Sequence, residues 1–188
     1  MSKPAVFLDR DGTLFKDTGY PGDKAPIHFL PGVPEYLRKL QTDFELIIIS
    51  NQSGVGRGII TKDEMYRVHD KMINKLQKEN IKITDSYYCP HAPSDNCVCR
   101  KPLPFMIQNA AKIWAVNLNY SYMIGDKLSD VLAGYRAGCK SVLLGKDRFA
   151  EENNTERPYP YFVATDFKAA AEWILNDANN LSIERISL

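Results

Sequence analysis

Asp9 and Asp11 stand two residues apart at the end of an apolar run and are followed by Gly12 and Thr13. Val6–Leu8 reads as a short buried strand, and Gly12 breaks it. In an open α/β sheet, ligands gather at the carboxyl ends of the strands, which puts both carboxylates where chemistry is done. Two carboxylates this close repel each other unless a cation lies between them, and hard oxygen ligands suit Mg²⁺. One carboxylate can then attack a phosphoryl group while the other handles the leaving-group proton.

Three more segments follow expected strands or open helices. Ser50-Asn-Gln-Ser-Gly-Val-Gly-Arg-Gly58 combines a hydroxyl, amides and glycine-permitted backbone N–H groups, the makings of a phosphate cradle. Arg100-Lys101-Pro102 supplies two cations ahead of a helix, and Gly125-Asp-Lys-Leu-Ser-Asp130 adds Asp126 and Asp130 with Lys127 between them. Alone, each has a plainer reading: a turn, a flexible loop, a solvated pair, a helix cap with a first-turn acid. Chance accounts poorly for all four in this order.

Cys89-Pro-His91 and Cys97-Val-Cys99 form a second constellation, Cys-x-His-x5-Cys-x-Cys. Three thiolates and an imidazole suit a closed tetrahedral Zn²⁺ site with no open position, so the metal should be structural. It would tie down Pro90–Asn96, expected to have neither helix nor strand, and help fix Arg100 and Lys101. Cys139 lies apart and reads as an ordinary buried thiol.

The elements that must hold these groups alternate in type. Expected strands are Val6–Leu8, Leu46–Ile49, Ile83–Tyr88, Ser121–Ile124, Ser141–Leu144 and Tyr161–Val163. Expected helices are Pro34–Leu40, Thr61–Lys78, Pro104–Trp114, Ser129–Ala137 and Phe167–Leu175. Thr61 and Glu64 form a capping-box pattern. Such alternation predicts a three-layer α/β/α architecture around a central, mainly parallel sheet, in one domain spanning residues 1–188. Residues 146–160 read as a surface loop, and the last ten or so as frayed. The linkers after Thr13 and Ser50 leave no room for a large cap, so the site should be capless and open, with a zinc-bound loop beside it.

Bulk properties exclude several classes. A net charge of +1 gives no overall basic field for nucleic acid or an anionic membrane. No stretch approaches the roughly 20 apolar residues that span a bilayer, and Asp9, Arg10 and Asp11 interrupt any apolar leader. A cytoplasmic monomer is expected.

With these motifs in hand, the chain resembles the haloacid dehalogenase (HAD) superfamily of phosphatases: Asp9–Thr13, Ser50, Lys101 and Gly125–Asp130 match its four motifs. The resemblance implies that Asp9 is a nucleophile that forms an aspartyl-phosphate. Asp11 protonates the leaving oxygen and then deprotonates water. Mg²⁺ is held by Asp9, the Asp11 backbone carbonyl and Asp126, while Ser50 and Lys101 hold phosphoryl oxygens and Asp130 orients metal-bound water or Lys101.

Within the superfamily the cysteine loop narrows the likeness to the D-glycero-D-manno-heptose 1,7-bisphosphate phosphatases and the related histidinol-phosphate phosphatases. The matching segments are Leu8–Thr13, Asp17-Thr-Gly-Tyr20, Ser50–Gly54, Tyr87–His91, Cys97–Pro102 and Tyr122–Lys127. This likeness implies a small phosphosugar substrate contacted by Asp9, Arg10 and Asp11, by Asp17, Thr18, Gly19 and Tyr20, by Ser50, Asn51, Gln52 and Ser53, and by Arg100, Lys101 and Lys127. Arg57 is a weaker candidate. Two adjacent cations favour a bisphosphate that loses its C7 phosphate, in nucleotide-activated heptose and lipopolysaccharide core synthesis. The alternative is a histidinol-phosphate phosphatase of histidine synthesis. A polynucleotide 3′-phosphatase would want a basic, aromatic-lined groove, and a non-catalytic binding module would be expected to lack at least one of the motif residues.

Overall fold

The computed structural model describes residues 3–17, 19, 27–147, 158 and 161–186, with side chains to Leu181. Six strands form one sheet: β1 (Ala5–Leu8), β2 (Glu45–Asn51), β3 (Asp85–Cys89), β4 (Tyr122–Gly125), β5 (Lys140–Leu144) and β6 (Tyr161–Ala164). Their order is β3-β2-β1-β4-β5-β6, and every neighbouring pair is parallel. The helices are α1 (Val33–Leu40), α2 (Ser53–Gly56), α3 (Lys62–Lys78), α4 (Phe105–Ile113), α5 (Leu128–Ala137) and α6 (Phe167–Ile186).

Strand side chains alternate between faces, and both faces are covered, which is why β1, β2 and β4 read as unbroken apolar runs. Val6, Leu8, Leu46, Ile48 and Ile124 pack with Leu37 and Leu40 of α1, Met72 and Leu76 of α3, and Phe167 and Ile174 of α6. Phe7, Ile47, Ile49 and Met123 pack on the other face with Met106, Ile107 and Ala110 of α4 and Ala133 and Ala137 of α5. Cys139 is buried in this second core, beyond Gly138, which closes α5 in the left-handed conformation.

The chain builds β1 to β3 outward in one direction, then returns to the far side of β1 for β4 to β6. The crevice that opens at the carboxyl ends of β1, β2 and β4 is the place such sheets use for ligands.

Most element ends lie within a residue or two of the sequence expectation. β3 begins later than the apolar run suggested, because its register pairs Ile47 with Asp85 and Asn51 with Cys89; it therefore ends on the first cysteine of the cluster. The loop Pro90–Asn96 contains a short 3-10 turn, Pro93–Asp95, where none was expected. α2 was hidden in the glycine-rich segment. α6 continues to Ile186, well past the expected stop at Leu175 and through residues expected to fray. Much of the expected loop 146–160 lies outside the described residues. Among the described residues, no helix is long and apolar enough to cross a membrane.

Candidate active site and Cys/His cluster

A cleft of about 290 Å³ opens at the strand ends, lined by Asp9, Asp11, Asp17, Gly19, Ser50, Asn51, Gln52, Ser53, Arg100, Lys101, Lys127, Ser129 and Asp130. β1 delivers Asp9, whose backbone N–H still donates to Ile124 of β4 at 2.9 Å, so the nucleophile candidate sits on the sheet rather than on a free loop. Its carboxylate is buried, and Oδ1 accepts from Lys101 Nζ at 2.6 Å.

Lys101 carries a fully engaged ammonium. It donates to Asp9 Oδ1 and to the Ile49 carbonyl, each at 2.6 Å, and lies 2.6 Å from Asp130 Oδ1. Burial opposes its charge, but Asp130 and Asp9 outweigh burial and hold Lys101 above the ordinary lysine value. Burial likewise raises Asp9, against the pull of Lys101. Asn51 secures the lysine's backbone: its amide donates to the Lys101 carbonyl and accepts the Lys101 N–H, both at 3.1 Å.

The two acids after β4 differ. Asp130 has both oxygens engaged, one by Lys101 and one by the Lys127 N–H at 3.0 Å, and it packs so closely on Gly125 that a Cβ there would lie 2.2 Å from it. Asp126 has a buried Oδ1 with no hydrogen-bond partner among the described residues. Burial, followed by the Asp9 charge, pushes Asp126 up to about 7. Gly12 turns at φ +86°, and a Cβ on it would lie 2.2 Å from Asp126 Oδ2, so a side chain there would close the space beside this carboxylate. Carboxylate oxygens of Asp9, Asp126 and Asp130 lie within 4.8 Å of one another. With Asp130 engaged, Asp9 and Asp126 are the pair with oxygen left to offer, and a hard divalent cation fits them.

Asp11 is held by its neighbours. Arg10 reaches it with Nε at 3.1 Å and Nη2 at 2.9 Å, and Gln52 Nε2 donates to Oδ2 at 2.7 Å. Gln52 also donates to Ser50 Oγ at 2.9 Å. Arg10, Gln52 and Asn51 thus direct polar atoms at other site residues. Asp17 accepts the Gly19 N–H at 2.9 Å and faces Lys127 Nζ at 3.5 Å across the rim. Arg100 lines the cleft with a buried Nη1 that lacks a partner among the described residues. Ser53 is buried at the start of α2. Arg57 is exposed at the end of α2 and does not line the cleft. Thr18 and Tyr20 lie outside the described residues.

Beyond β3, the sulfur and Nδ1 atoms of Cys89, His91, Cys97 and Cys99 come together within 4.8 Å. Cys89–Cys97, Cys97–Cys99 and Cys89–His91 separations are 3.5, 3.6 and 3.7 Å, and His91–Cys99 is 3.2 Å. A tetrahedral Zn²⁺ with bonds of about 2.3 Å to sulfur has ligand-to-ligand edges of ~3.8 Å, so the four atoms are close to a zinc cage.

This loop also touches the segment after β2. The Cys89 carbonyl accepts the Gln52 N–H and the Pro90 carbonyl accepts the Gly56 N–H, both at 2.7 Å. A Cβ on Gly56 would lie 2.4 Å from the Ala92 nitrogen. Sequence reasoning missed this contact; the glycine in an otherwise helical turn was its only trace.

Comparison with known proteins agrees with this geometry. The HAD-hydrolase-like family model matches residues 98–170. The D-glycero-beta-D-manno-heptose-1,7-bisphosphate 7-phosphatase of Helicobacter pylori (strain J99) is 38% identical over 90% of this chain and 96% of its own length. The Escherichia coli K12 enzyme of the same name is 33% identical over 96% and 92%. The crystal structure of a D,D-heptose 1,7-bisphosphate phosphatase from B. bronchiseptica, complexed with magnesium and phosphate, superposes with a TM-score of 0.81 at 32% identity, covering 93% of this chain and 99% of the other. The chain is a phosphoric monoester hydrolase and belongs to the D-glycero-beta-D-manno-heptose-1,7-bisphosphate 7-phosphatase family of HAD-like hydrolases.

Proposed function

We propose that this enzyme removes the C7 phosphate of D-glycero-D-manno-heptose 1,7-bisphosphate through an aspartyl-phosphate on Asp9. The Asp9 carboxylate attacks phosphorus, and the bond from phosphorus to the C7 oxygen breaks. A protonated Asp11 gives its proton to that oxygen. Asp11, now a carboxylate, takes a proton from water as the water oxygen attacks phosphorus, the Asp9–phosphorus bond breaks and phosphate leaves. Lys101, already on Asp9, and Ser50 lie beside the position of the transferring oxygens, where fixed donors stabilise charge that develops in the transition state.

Asp9 and Asp126, with the Asp11 backbone carbonyl, would hold Mg²⁺. Bound there, the ion offsets the repulsion between the Asp9 carboxylate and an anionic phosphate. Cys89, His91, Cys97 and Cys99 would hold a structural Zn²⁺ that fixes the backbone on either side of the cleft, through Gln52 and Gly56 and through Arg100 and Lys101.

The observation that carries the substrate reading is Arg100. Arg100 lines the cleft and its buried Nη1 has no partner among the described residues, while Lys101 is engaged by Asp9 and Asp130. A guanidinium fork suits a second phosphate. The test is phosphate release with Mg²⁺ from heptose 1,7-bisphosphate and from histidinol phosphate in parallel. A kcat/KM ratio of about 100 or more in favour of the bisphosphate is expected, since a site built for a polar group rejects analogues that leave it unpaired. A preference for histidinol phosphate would overturn the substrate and leave the chemistry standing.

A further inference from the structure

Arg10 and Gln52 are polar, buried and next to the chemistry, yet the mechanism above gives them no task. Arg10 Nη2 lies 2.9 Å from one end of the Gln52 amide. A guanidinium has only donors, so that end must be the carbonyl Oε1. The amide nitrogen is then fixed at the other end, where it donates to Asp11 Oδ2 at 2.7 Å and to Ser50 Oγ at 2.9 Å. Two consequences follow. Ser50 Oγ is an acceptor on its protein side, so its own proton is free to point into the cleft it lines. Asp11 Oδ2 is engaged by Gln52 Nε2 and Arg10 Nη2, while among the described residues Oδ1 receives only Arg10 Nε at 3.1 Å, shared with Oδ2, and is the oxygen left to carry a transferable proton.

Arg10 is itself anchored. Its side chain is 5% exposed, and its guanidinium carbon lies 5.8 Å from the centre of the Tyr88 ring. The Tyr88 hydroxyl pairs with His69 Nδ1 at 2.6 Å. Burial, the largest influence on each, pushes Tyr88 up to about 12 and His69 below its ordinary value, which agrees with a neutral phenol donating to a neutral imidazole.

We propose that Arg10 and Gln52 are positioning residues, a buried chain that presents one oxygen of Asp11 to the leaving group and turns the Ser50 hydroxyl proton toward the phosphoryl group. The proposal rests on the roles given above to Asp11 and Ser50. The test compares kcat/KM for phenyl phosphate, whose leaving oxygen needs a proton, with 2,4-dinitrophenyl phosphate, whose leaving oxygen does not. Wild type, Asp11→Asn, Gln52→Met, Gln52→Glu, Arg10→Lys and Ser50→Ala are measured, each with its thermal midpoint. A general acid contributes about 10²–10⁴-fold, so Asp11→Asn should slow phenyl phosphate by about 10²-fold or more and the dinitrophenyl ester far less. Gln52→Met should show the same leaving-group signature at about 10- to 100-fold, and Arg10→Lys, which keeps the charge but loses the fork, a weaker version. Gln52→Glu still accepts from Arg10 but has no donor, so it should reproduce the signature if the Met variant folds poorly. The part of the Gln52→Met loss that remains on the dinitrophenyl ester should vanish in a Ser50→Ala background. Equal losses on both esters, additive with Ser50→Ala, would overturn the proposal. An Asp11→Asn variant with no leaving-group dependence would instead remove Asp11 as the acid, and the proposal with it.

Discussion

The cleft at the end of β1 and the Cys/His cluster after β3 both gather groups that a cation can join, but among the described residues only the cleft supplies its own counter-charges. Asp9 and Asp130 share Lys101, and Asp11 is paired with Arg10. Among the described residues the cluster has no such partner: its thiols and imidazole face one another at 3.2–3.7 Å, and burial, the largest influence, together with the Cys99 thiol pushes Cys89 up to about 12. One region is organised by the chain itself; the other has its donors converging on a space that suits a cation. Asp126 stands between these cases: one of its carboxylate oxygens lies within 4.8 Å of those of Asp9 and Asp130, yet its Oδ1 has no hydrogen-bond partner among the described residues. The comparison therefore predicts which substitutions fail for want of a side chain and which respond to metal.

The largest effect is expected at the lysine. Lys101→Met would leave Asp9 and Asp130 buried without a counter-charge, which costs about 3–5 kcal/mol. Urea unfolding should show that loss, and adding Asp130→Asn should recover part of it; an unaltered midpoint would mean that the cleft is not charge-balanced by Lys101. Next comes the cluster. Removing zinc by chelation, or substituting Cys99→Ser, should lower stability by about 3 kcal/mol, or ~6–12 °C in Tm. Lost turnover should accompany this, because Gln52, Gly56 and Lys101 hang on the same loop. Elemental analysis showing no zinc in the active protein would break this half of the comparison.

The third prediction concerns pH. Asp126 lies near 7 in the folded chain against 3.8 ordinarily, so the folded state binds this proton more tightly than the unfolded state. Its contribution therefore lowers the stability of metal-free protein as pH rises from about 4 to about 7. Mg²⁺ binds the ionised form, so it should raise Tm more at pH 7.5 than at pH 5, and Asp126→Asn should abolish the difference. A Mg²⁺ effect independent of pH would separate Asp126 from the metal. The smallest effect is far from both regions. Thr61 accepts the Glu64 N–H at 3.2 Å, and Glu64 accepts the Thr61 N–H at 2.7 Å. Thr61→Ala should cost about 1 kcal/mol with kcat/KM unchanged.

What could be read in the sequence follows the same division. The strands were legible because sheet positions buried on both faces must be apolar, and α3 because its capping box is local chemistry. Asn176, Asp177, Asn179 and Asn180 disfavour helix, so local propensity ends α6 at Leu175. In the fold, however, Asp177 accepts from the Tyr122 hydroxyl at 2.6 Å and from Lys140 at 2.6 and 2.8 Å, a tertiary contact that propensity cannot reveal. In the site, carboxylates and cysteines announced themselves by type and spacing. The orientation of Arg10, Asn51 and Gln52 did not: at strand ends and turns the sequence does not say whether a polar side chain points to the ligand or to its neighbours, and here their polar atoms meet other site residues. Gly56 likewise shows its reason only when the Cys89–Ala92 backbone is laid against it.

The central claim is that Asp9 takes the phosphoryl group. Acid quenching during turnover of heptose 1,7-bisphosphate with Mg²⁺, in the wild type and in Asp11→Asn, followed by peptide mass spectrometry, tests it directly. The account predicts a phosphoryl group on the peptide containing Asp9, absent after Asp9→Asn, which should also abolish turnover while leaving the thermal midpoint close to wild type. A phosphoryl group on another residue, or turnover that persists in Asp9→Asn, would contradict it.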